Sequence, residues 1–178
     1  NSVRDFVRDL VQSVDVQFVP GNELPRRTDE VLLEGAVRAA LIRLNPEIAE
    51  DPERIDEVLP LIRSAILSAA TDGLLAANER MTTLLRGDLT VKYVGSDEGY
   101  IPLRVIDFEN PENNRFTVTG PLPNSSDPVA DEVTFGPAGS ARRFDVVLWV
   151  NGIPLAVVET KTPVKASVSW LNGARDIA

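Results

Sequence analysis

Residues 144–163 read FDVVLWVNGIPLAVVETKTP, two apolar runs joined by Asn-Gly. Asn-Gly is the pair most typical of a tight hairpin turn, so the stretch predicts two antiparallel strands. Both runs are apolar on both faces, which is typical of central, buried strands. Asp145, Glu159 and Lys161 lie at the outer ends of these runs. Charges there are costly unless they are paired or used, so the hairpin predicts a functional site as well as a sheet.

The three charged residues suggest a type of chemistry. Side chains alternate along a strand, so Glu159 and Lys161 share a face and Thr160 lies on the other. Two converging carboxylates, here Asp145 and Glu159, repel each other unless a cation lies between them, and Mg²⁺ prefers oxygen ligands. With a lysine beside the ion, this set is typical of metal-assisted phosphodiester hydrolysis. The same pattern also fits an exposed strand that carries charge for solubility.

The register of the hairpin decides whether its acids meet. A plain two-residue turn would place Asp145 opposite Val158, on the face away from Glu159. A shared face requires one extra residue, and Pro154 is easiest to place where the ladder is already disturbed. We therefore expect a bulge or a three-residue loop between residues 149 and 155, or else an Asp145 that lies beyond the last regular pair.

Composition limits the other possibilities. The chain has 178 residues, 43% of them apolar and 25% charged, which is typical of one globular domain. It has no cysteine and no histidine, which excludes disulfides, thiolate catalysis, histidine triads and imidazole metal sites. No run approaches the roughly 18 apolar residues of a membrane span, so we expect no membrane partner and a cytoplasmic protein. The net charge of −9 argues mildly against an extended nucleic-acid surface.

The first part of the chain, about residues 1–87, has helical periodicity. Thr28 is a candidate N-cap for a first helix that Pro46 ends. Asp51 can cap a second helix, and a third helix ends at Gly87. Apolar residues recur at helical spacing in the first two helices, at Leu33, Val37, Ala40, Leu41, Leu44, Ile55, Val58, Leu59 and Ile62.

The rest, about residues 88–178, is mostly extended and rich in β-branched residues. Residues 120–141 are dense in Pro, Gly, Ser and Asp and predict a long loop with a short strand at 132–135. Upstream of this loop, a meander that feeds the sheet is predicted from three runs, at 89–94, 100–108 and 115–120.

Several blocks in order carry a family resemblance that covers most of the chain from residue 24. They are LPRRTDEVLLEGAVRAALIRLNP, LLRGDLTVKYV, VIDFENPENNRFTV and RRFDVVLWVNGIPLAVVETKTP. Together they resemble the N-terminal nuclease region of the R subunits of type I restriction enzymes, in the PD-(D/E)xK superfamily. The resemblance implies an α+β fold with a restriction-endonuclease-like core, in which a central mixed sheet is flanked by helices.

The resemblance also implies roles for individual residues. Asp145 stands for the metal-binding aspartate, with Phe144 where the family usually has proline. Glu159 and Lys161 stand for the glutamate-x-lysine pair, so Asp145 and Glu159 would bind Mg²⁺ or Mn²⁺. Glu34, on the first helix, resembles the upstream acid.

One part of the family pattern is missing. The family often has a glutamine and, four residues later, a tyrosine on the helix after the catalytic strand. Those positions are Gly173 and Ile177 here. Asn172 and Arg175 are either substitutes for these contacts or plain surface residues.

In the family this region precedes an ATP-driven DNA translocase and joins modification and specificity subunits. No Gly-x-x-x-x-Gly-Lys-Ser/Thr phosphate loop occurs here, so we expect a single nuclease domain, residues 1–178, truncated at its C-terminus, with the motor domains absent. Double-stranded DNA is the expected substrate, and ATP would bind only the full-length subunit. Two alternatives stay open: a catalytically silent docking domain with the same fold, and a repair or RNA nuclease of the same superfamily.

Overall fold

The computed structural model describes residues 16–97, 99–121, 132–137 and 139–160. Their contacts form two compact units, one made of residues 16–34 and 115–160 and the other of residues 35–114. Together they make a mixed α/β protein, as the sequence predicts. The described helices are α1 (Glu34–Leu44), α2 (Pro46–Glu50), α3 (Ile55–Asp72) and α4 (Leu74–Leu85). The described strands are β1 (Val16–Phe18), β2 (Thr90–Val91), β3 (Ile101–Pro102), β4 (Phe116–Thr119), β5 (Val133–Phe135), β6 (Arg142–Phe144), β7 (Val146–Val150) and β8 (Ile153–Val158).

The first unit is built on a four-stranded mixed sheet with the order β1-β4-β7-β8. Strand β1 runs parallel to β4, and the other neighbours are antiparallel. Val118 of β4 and Val146 of β7 are fully buried at its centre, where apolar side chains from β1, β7 and β8 pack against them. The mixed sheet confirms the predicted one, and β7 is a central strand as expected.

Strand β8 differs from the prediction. Among the described strands it lies at an edge of the sheet, and its Leu155 is 44% exposed. The continuous apolar run 153–158 therefore did not indicate a strand that is covered on both sides. Pro154 is compatible with this position, because a residue without an N–H is tolerated at a sheet edge.

The hairpin turn is tied to both segments that flank the second unit. Asn151 and Gly152 have φ values of 52° and 81°, as a type I′ turn requires. The buried Asn151 side chain accepts a hydrogen bond from the Arg115 amide at 2.9 Å. The Leu33 amide donates to the Gly152 carbonyl at 2.9 Å. Both bonds tie the turn to other segments of the first unit.

The second unit contains the helices, and their predicted capping is largely confirmed. The Asp51 side chain accepts a hydrogen bond from the Glu53 amide in the 3-10 turn Pro52–Arg54, which leads into α3. Helix α4 is followed by Gly87, whose φ is 75°. Buried positions follow the predicted stripes in α1 and α3, at Val37, Ala40, Leu41, Leu44, Ile55, Val58, Leu59 and Ile62.

The first helix begins later than predicted. It starts at Glu34, six residues after the expected cap at Thr28. The Glu30 carboxylate accepts from the Arg27 amide at 2.9 Å, as in a capping box, but the segment forms a turn instead of a helix. The carbonyls of Arg27, Thr28 and Glu30 accept from the Arg26 guanidinium, so they are bonded outside any helix.

The predicted meander is also wrong in part. Strands β2 and β3 form a two-stranded sheet of their own in the second unit. Each has only two residues, because the chain after β3 is held elsewhere: the Asn45 side chain bonds the Arg104 amide and carbonyl, both at 2.8 Å. In the described residues, no helix is long and apolar enough to cross a membrane.

Candidate active site

The hairpin contains the bulge that the sequence predicts. Next to the turn Trp149 pairs with Pro154, but one step further Leu148 pairs with Ala156. The extra residue, Leu155, is the bulge. The turn itself has two residues, so the bulge alone changes the register.

The shifted register carries Asp145 to the level of Glu159. Val146 and Val158 form the last regular pair, and the same register continued one step outward would set Asp145 opposite Glu159. Residues directly opposite each other on antiparallel strands share a face of the sheet. Asp145 and Glu159 lie one step beyond the regular strands, and the convergence of their carboxylates stays a prediction.

Thr160 fixes the orientation of the Asp145 carboxylate. Oδ2 of Asp145 accepts hydrogen bonds from the Thr160 amide at 2.6 Å and from its hydroxyl at 2.5 Å. Simple alternation predicts that Thr160 and Glu159 point in opposite directions, and the hydroxyl bond places the Thr160 side chain beside Asp145. Strand β8 ends at Val158, so the pleat no longer dictates side-chain direction at Thr160. These charge-assisted bonds hold Asp145 at the junction of β6 and β7.

A third acid, which the sequence analysis did not identify, lies on the other side of Asp145. In the β5–β6 hairpin Val133 and Phe144 form the last regular pair, so Glu132 and Asp145 each lie one step beyond that ladder. The charges of Asp145 and Glu159 both act on Glu132, so the three acids lie in one region of the first unit. We refer to Glu132, Asp145 and Glu159 as the acidic row.

The electrostatics of Glu132 agree with this placement. Burial raises the pKa of Glu132, Arg143 opposes that shift, and the charges of Asp145 and Glu159 raise the pKa further. The Glu132 side chain is only 22% exposed, and its Oε2 lies 3.7 Å from Nε of Arg143. That separation is an ion pair but too long for a hydrogen bond.

Arg26 anchors the strand that carries Glu132. Its guanidinium donates to the Thr134 carbonyl at 2.6 Å and to the Glu30 carbonyl at 2.5 Å. It also lies over the Phe135 ring, 4.2 Å from the centroid, a distance at which the cation and the ring attract each other. Phe135 in turn contacts Trp149 of β7, with 5.8 Å between ring centroids. The β5–β6 hairpin therefore packs against β7, the strand that begins directly after Asp145.

Glu34 is the first residue of α1 and is partly buried. Its neighbour Leu33 bonds the Gly152 carbonyl, which lies at the turn end of the hairpin, whereas Asp145 lies at the other end of β7. The five residues of β7 span about 17 Å at the usual rise per residue. No contact between Glu34 and Asp145 is established by this geometry, and the role of Glu34 stays a prediction.

Lys161 and the four C-terminal positions discussed above, Asn172, Gly173, Arg175 and Ile177, lie outside the described residues. Across the part of the chain that the structure describes, no three acidic side chains come close enough together to hold one metal ion. The predicted site needs only two carboxylates, Asp145 and Glu159. Their hard oxygens suit Mg²⁺, which typically binds one or two carboxylates and keeps several waters.

Comparison with known proteins identifies the family. The family described as type I restriction enzyme R protein N terminus matches residues 3–177. The chain belongs to this family. It is also 30% identical, over 97% of its length, to the type I restriction enzyme HindI endonuclease subunit of Haemophilus influenzae. The chain spans 16% of that relative's length. No solved structure matches the chain.

The structure adds four residues of this chain that were not predicted as site residues. They contact the acidic row or the strands beside it, and they are Glu132, Arg143, Thr160 and Arg26. Glu132 begins the short strand predicted at 132–135, and the structure confirms this strand as β5. Its partner β6 was not predicted, so the sequence did not place Glu132 near Asp145.

Proposed function

We propose that this chain is the nuclease domain of a type I restriction enzyme R subunit, with a PD-(D/E)xK site that hydrolyses phosphodiester bonds of double-stranded DNA. The observation that carries the proposal is the bulge at Leu155, because the shifted register, continued one step beyond its last regular pair, would set Asp145 opposite Glu159. An undistorted hairpin would separate these carboxylates onto opposite faces. The single register shift of this hairpin lies between the turn and Asp145, which favours a catalytic hairpin over a purely structural one.

The residues of the chain have distinct roles in this proposal. Asp145 and Glu159 hold a divalent cation, and Thr160 keeps the Asp145 carboxylate in the required orientation. The chemistry supplied by Mg²⁺ when bound is activation of a water and stabilisation of charge on the phosphate. Lys161, two residues after Glu159, contributes a positive contact to the attacking water or the scissile phosphate.

The wider machinery belongs to the longer protein. The R subunit that contains this region is proposed to bind ATP, to move DNA and to assemble with modification and specificity subunits. With a net charge of −9, the chain alone is poorly suited to hold DNA, because phosphate contacts dominate DNA affinity. We therefore assign most DNA binding to the other parts of the complex.

The test is cleavage by the assembled enzyme. Asp145→Asn, Glu159→Gln and Lys161→Ala should each abolish DNA cleavage and leave ATP hydrolysis unchanged, which also shows that the subunit is folded and assembled. Normal cleavage by any of the three would overturn that residue's assignment. A wild-type enzyme that translocates but never cuts would favour the silent docking domain, and cleavage of RNA alone would favour an RNA nuclease.

Glu34→Gln belongs in the same assay. Its prediction rests on the family resemblance, whereas the described geometry ties the start of α1 to the turn end of the hairpin. Loss of cleavage with intact ATP hydrolysis would support a role in the site. Unchanged cleavage would remove Glu34 from it.

A further inference from the structure

The acidic row has one carboxylate more than the proposed cation site uses. Glu132 and Asp145 both lie one step beyond the last pair of the β5–β6 hairpin, yet among the described residues the three acids do not form a group that could hold one ion. Its side chain is mostly buried, and its ion pair with Arg143 is long, with 3.7 Å between Oε2 and Nε. A partly buried charge near two like charges is energetically costly, which favours a functional role for the Glu132 carboxylate.

Glu132 also borders an open cavity. Arg26, Thr28 and Thr134 line the same cavity, whose volume is about 230 Å³. Liquid water takes about 30 Å³ per molecule, so this space is large enough for several waters. Mg²⁺ and similar ions keep part of their water shell in protein sites. A carboxylate can act on a hydrated cation by its charge without being its direct ligand, and the Arg26 guanidinium in the same lining acts in the opposite sense.

We propose that Glu132 is a positioning residue for the divalent cation, which it draws to Asp145 and Glu159 by its charge and through water. This inference rests on the proposed function, since it needs a cation at those two residues. Arg143 acts in the opposite sense, because its positive charge lies next to Glu132. The loose ion pair thereby sets the affinity of the site for its cation.

The experiment is Mn²⁺ binding, followed by electron paramagnetic resonance, with the full-length R subunit and no ATP. Glu132→Gln should weaken Mn²⁺ binding about 3- to 10-fold, as expected for removing one unit charge near the ion at high effective dielectric. Glu132→Asp, which keeps the charge, should restore most of the affinity. Asp145→Asn should remove the binding that depends on the site.

Arg143→Gln separates a charge effect from a structural one. If Glu132 acts by charge, removing its positive neighbour should tighten Mn²⁺ binding. If Glu132 only holds Arg143 and the hairpin in place, both substitutions should weaken binding, and the proposal is overturned. Glu112→Gln, an exposed residue of the second unit, removes the same charge as a control. If Glu112→Gln weakens Mn²⁺ binding as much as Glu132→Gln does, the effect comes from the net charge of the protein, and the proposal is overturned.

The same measurements distinguish a failure of the cation site from a failure of the role proposed for Glu132. If Asp145→Asn abolishes site binding and Glu132→Gln leaves it unchanged, the role of Glu132 is wrong while the proposed nuclease site stands. If Asp145→Asn has no effect on Mn²⁺ binding, the cation site itself is wrong and the role of Glu132 falls with it.

Discussion

Thr160 shows how a single side chain can prepare the site. It bonds one oxygen of Asp145 through both its amide and its hydroxyl. Among the described residues, the other oxygen, Oδ1, accepts no hydrogen bond, which leaves it suited to a cation. Partners that orient a ligating carboxylate in this way tune both metal affinity and activity.

The Thr160 hydroxyl can be tested separately from its amide. Thr160→Val keeps the backbone bond and loses the hydroxyl bond, so Asp145 is less firmly held. We expect Mn²⁺ affinity or DNA cleavage to fall about 10- to 100-fold, the usual cost of losing a residue that supports a metal ligand. Thr160→Ser should retain wild-type behaviour in the same measurements. Unchanged activity of the valine variant would mean that the amide alone fixes Asp145.

Thr119 and Trp149 form a buried polar pair in the sheet of the first unit. The Trp149 indole donates to the Thr119 hydroxyl at 3.0 Å, and both residues are almost fully buried. Thr119→Val leaves the indole N–H without a partner, which should cost about 1–3 kcal/mol of unfolding free energy in urea titrations. Thr117→Val, on the same strand but only half-buried, is the control and should change stability by less. Equal costs would contradict a specific role for the bond.

At the level of elements, the type I′ turn depends on left-handed residues. Gly152 has φ +81°, where a side chain costs about 1–2 kcal/mol. Gly152→Ala should therefore lower the free energy of unfolding by about that amount. Gly35→Ala is the matched comparison, because Gly35 lies in α1 and an added Cβ there meets nothing within 4 Å. It should raise stability by up to about 1 kcal/mol, and a stabilising Gly152→Ala would contradict the assigned turn.

The elements that were predictable from the sequence are those with a local signal. The helical stripes, the Asp51 cap and Gly87 each depend on residues close together in the chain. The bulge was predictable for another reason: if Asp145 and Glu159 share a face, either an extra residue shifts the register or Asp145 lies beyond the last regular pair, and the structure shows both. A chemical requirement thus predicted a backbone irregularity that no propensity indicates.

The elements that were missed depend on contacts between distant residues. The start of α1 is displaced from Thr28 because Arg26 binds the carbonyls of that segment and also Thr134, more than a hundred residues later. Strand β6 and the position of Glu132 depend on pairing between two ends of a loop-like segment. No periodicity within either segment carries that information. The residue added to the site is therefore one that only the fold could reveal.

At the scale of the whole molecule, the chain is acidic, and at the proposed site the charges of Asp145 and Glu159 act on Glu132. The protein carries 27 acidic and 18 basic residues, so acids are in excess and the overall charge does not offset that of the acidic row. Folding must therefore hold these carboxylates together against their repulsion. A divalent cation that binds only the folded state would relieve this and stabilise the protein. Function and stability are thus expected to oppose each other at Glu132.

This opposition predicts the pH dependence of stability for Glu132→Gln. Because the folded-state pKa of Glu132 is raised, first by burial and then by Asp145 and Glu159, ionisation favours the unfolded chain. The wild type should lose stability as pH rises from the ordinary glutamate pKa through the raised one. In EDTA at pH 7, Glu132→Gln should therefore melt at a higher temperature than the wild type.

The difference in melting temperature should shrink as pH falls below the ordinary glutamate pKa, where Glu132 is protonated in both states. Differential scanning fluorimetry from pH 4 to pH 8, with and without Mn²⁺, measures all these quantities. Saturating Mn²⁺ should also reduce the advantage of the glutamine variant at pH 7, because the wild type then gains more from the ion. A glutamine variant that is less stable than the wild type in EDTA at pH 7 would mean that the ion pair with Arg143 outweighs burial and repulsion, and that Glu132 contributes to stability in its charged form.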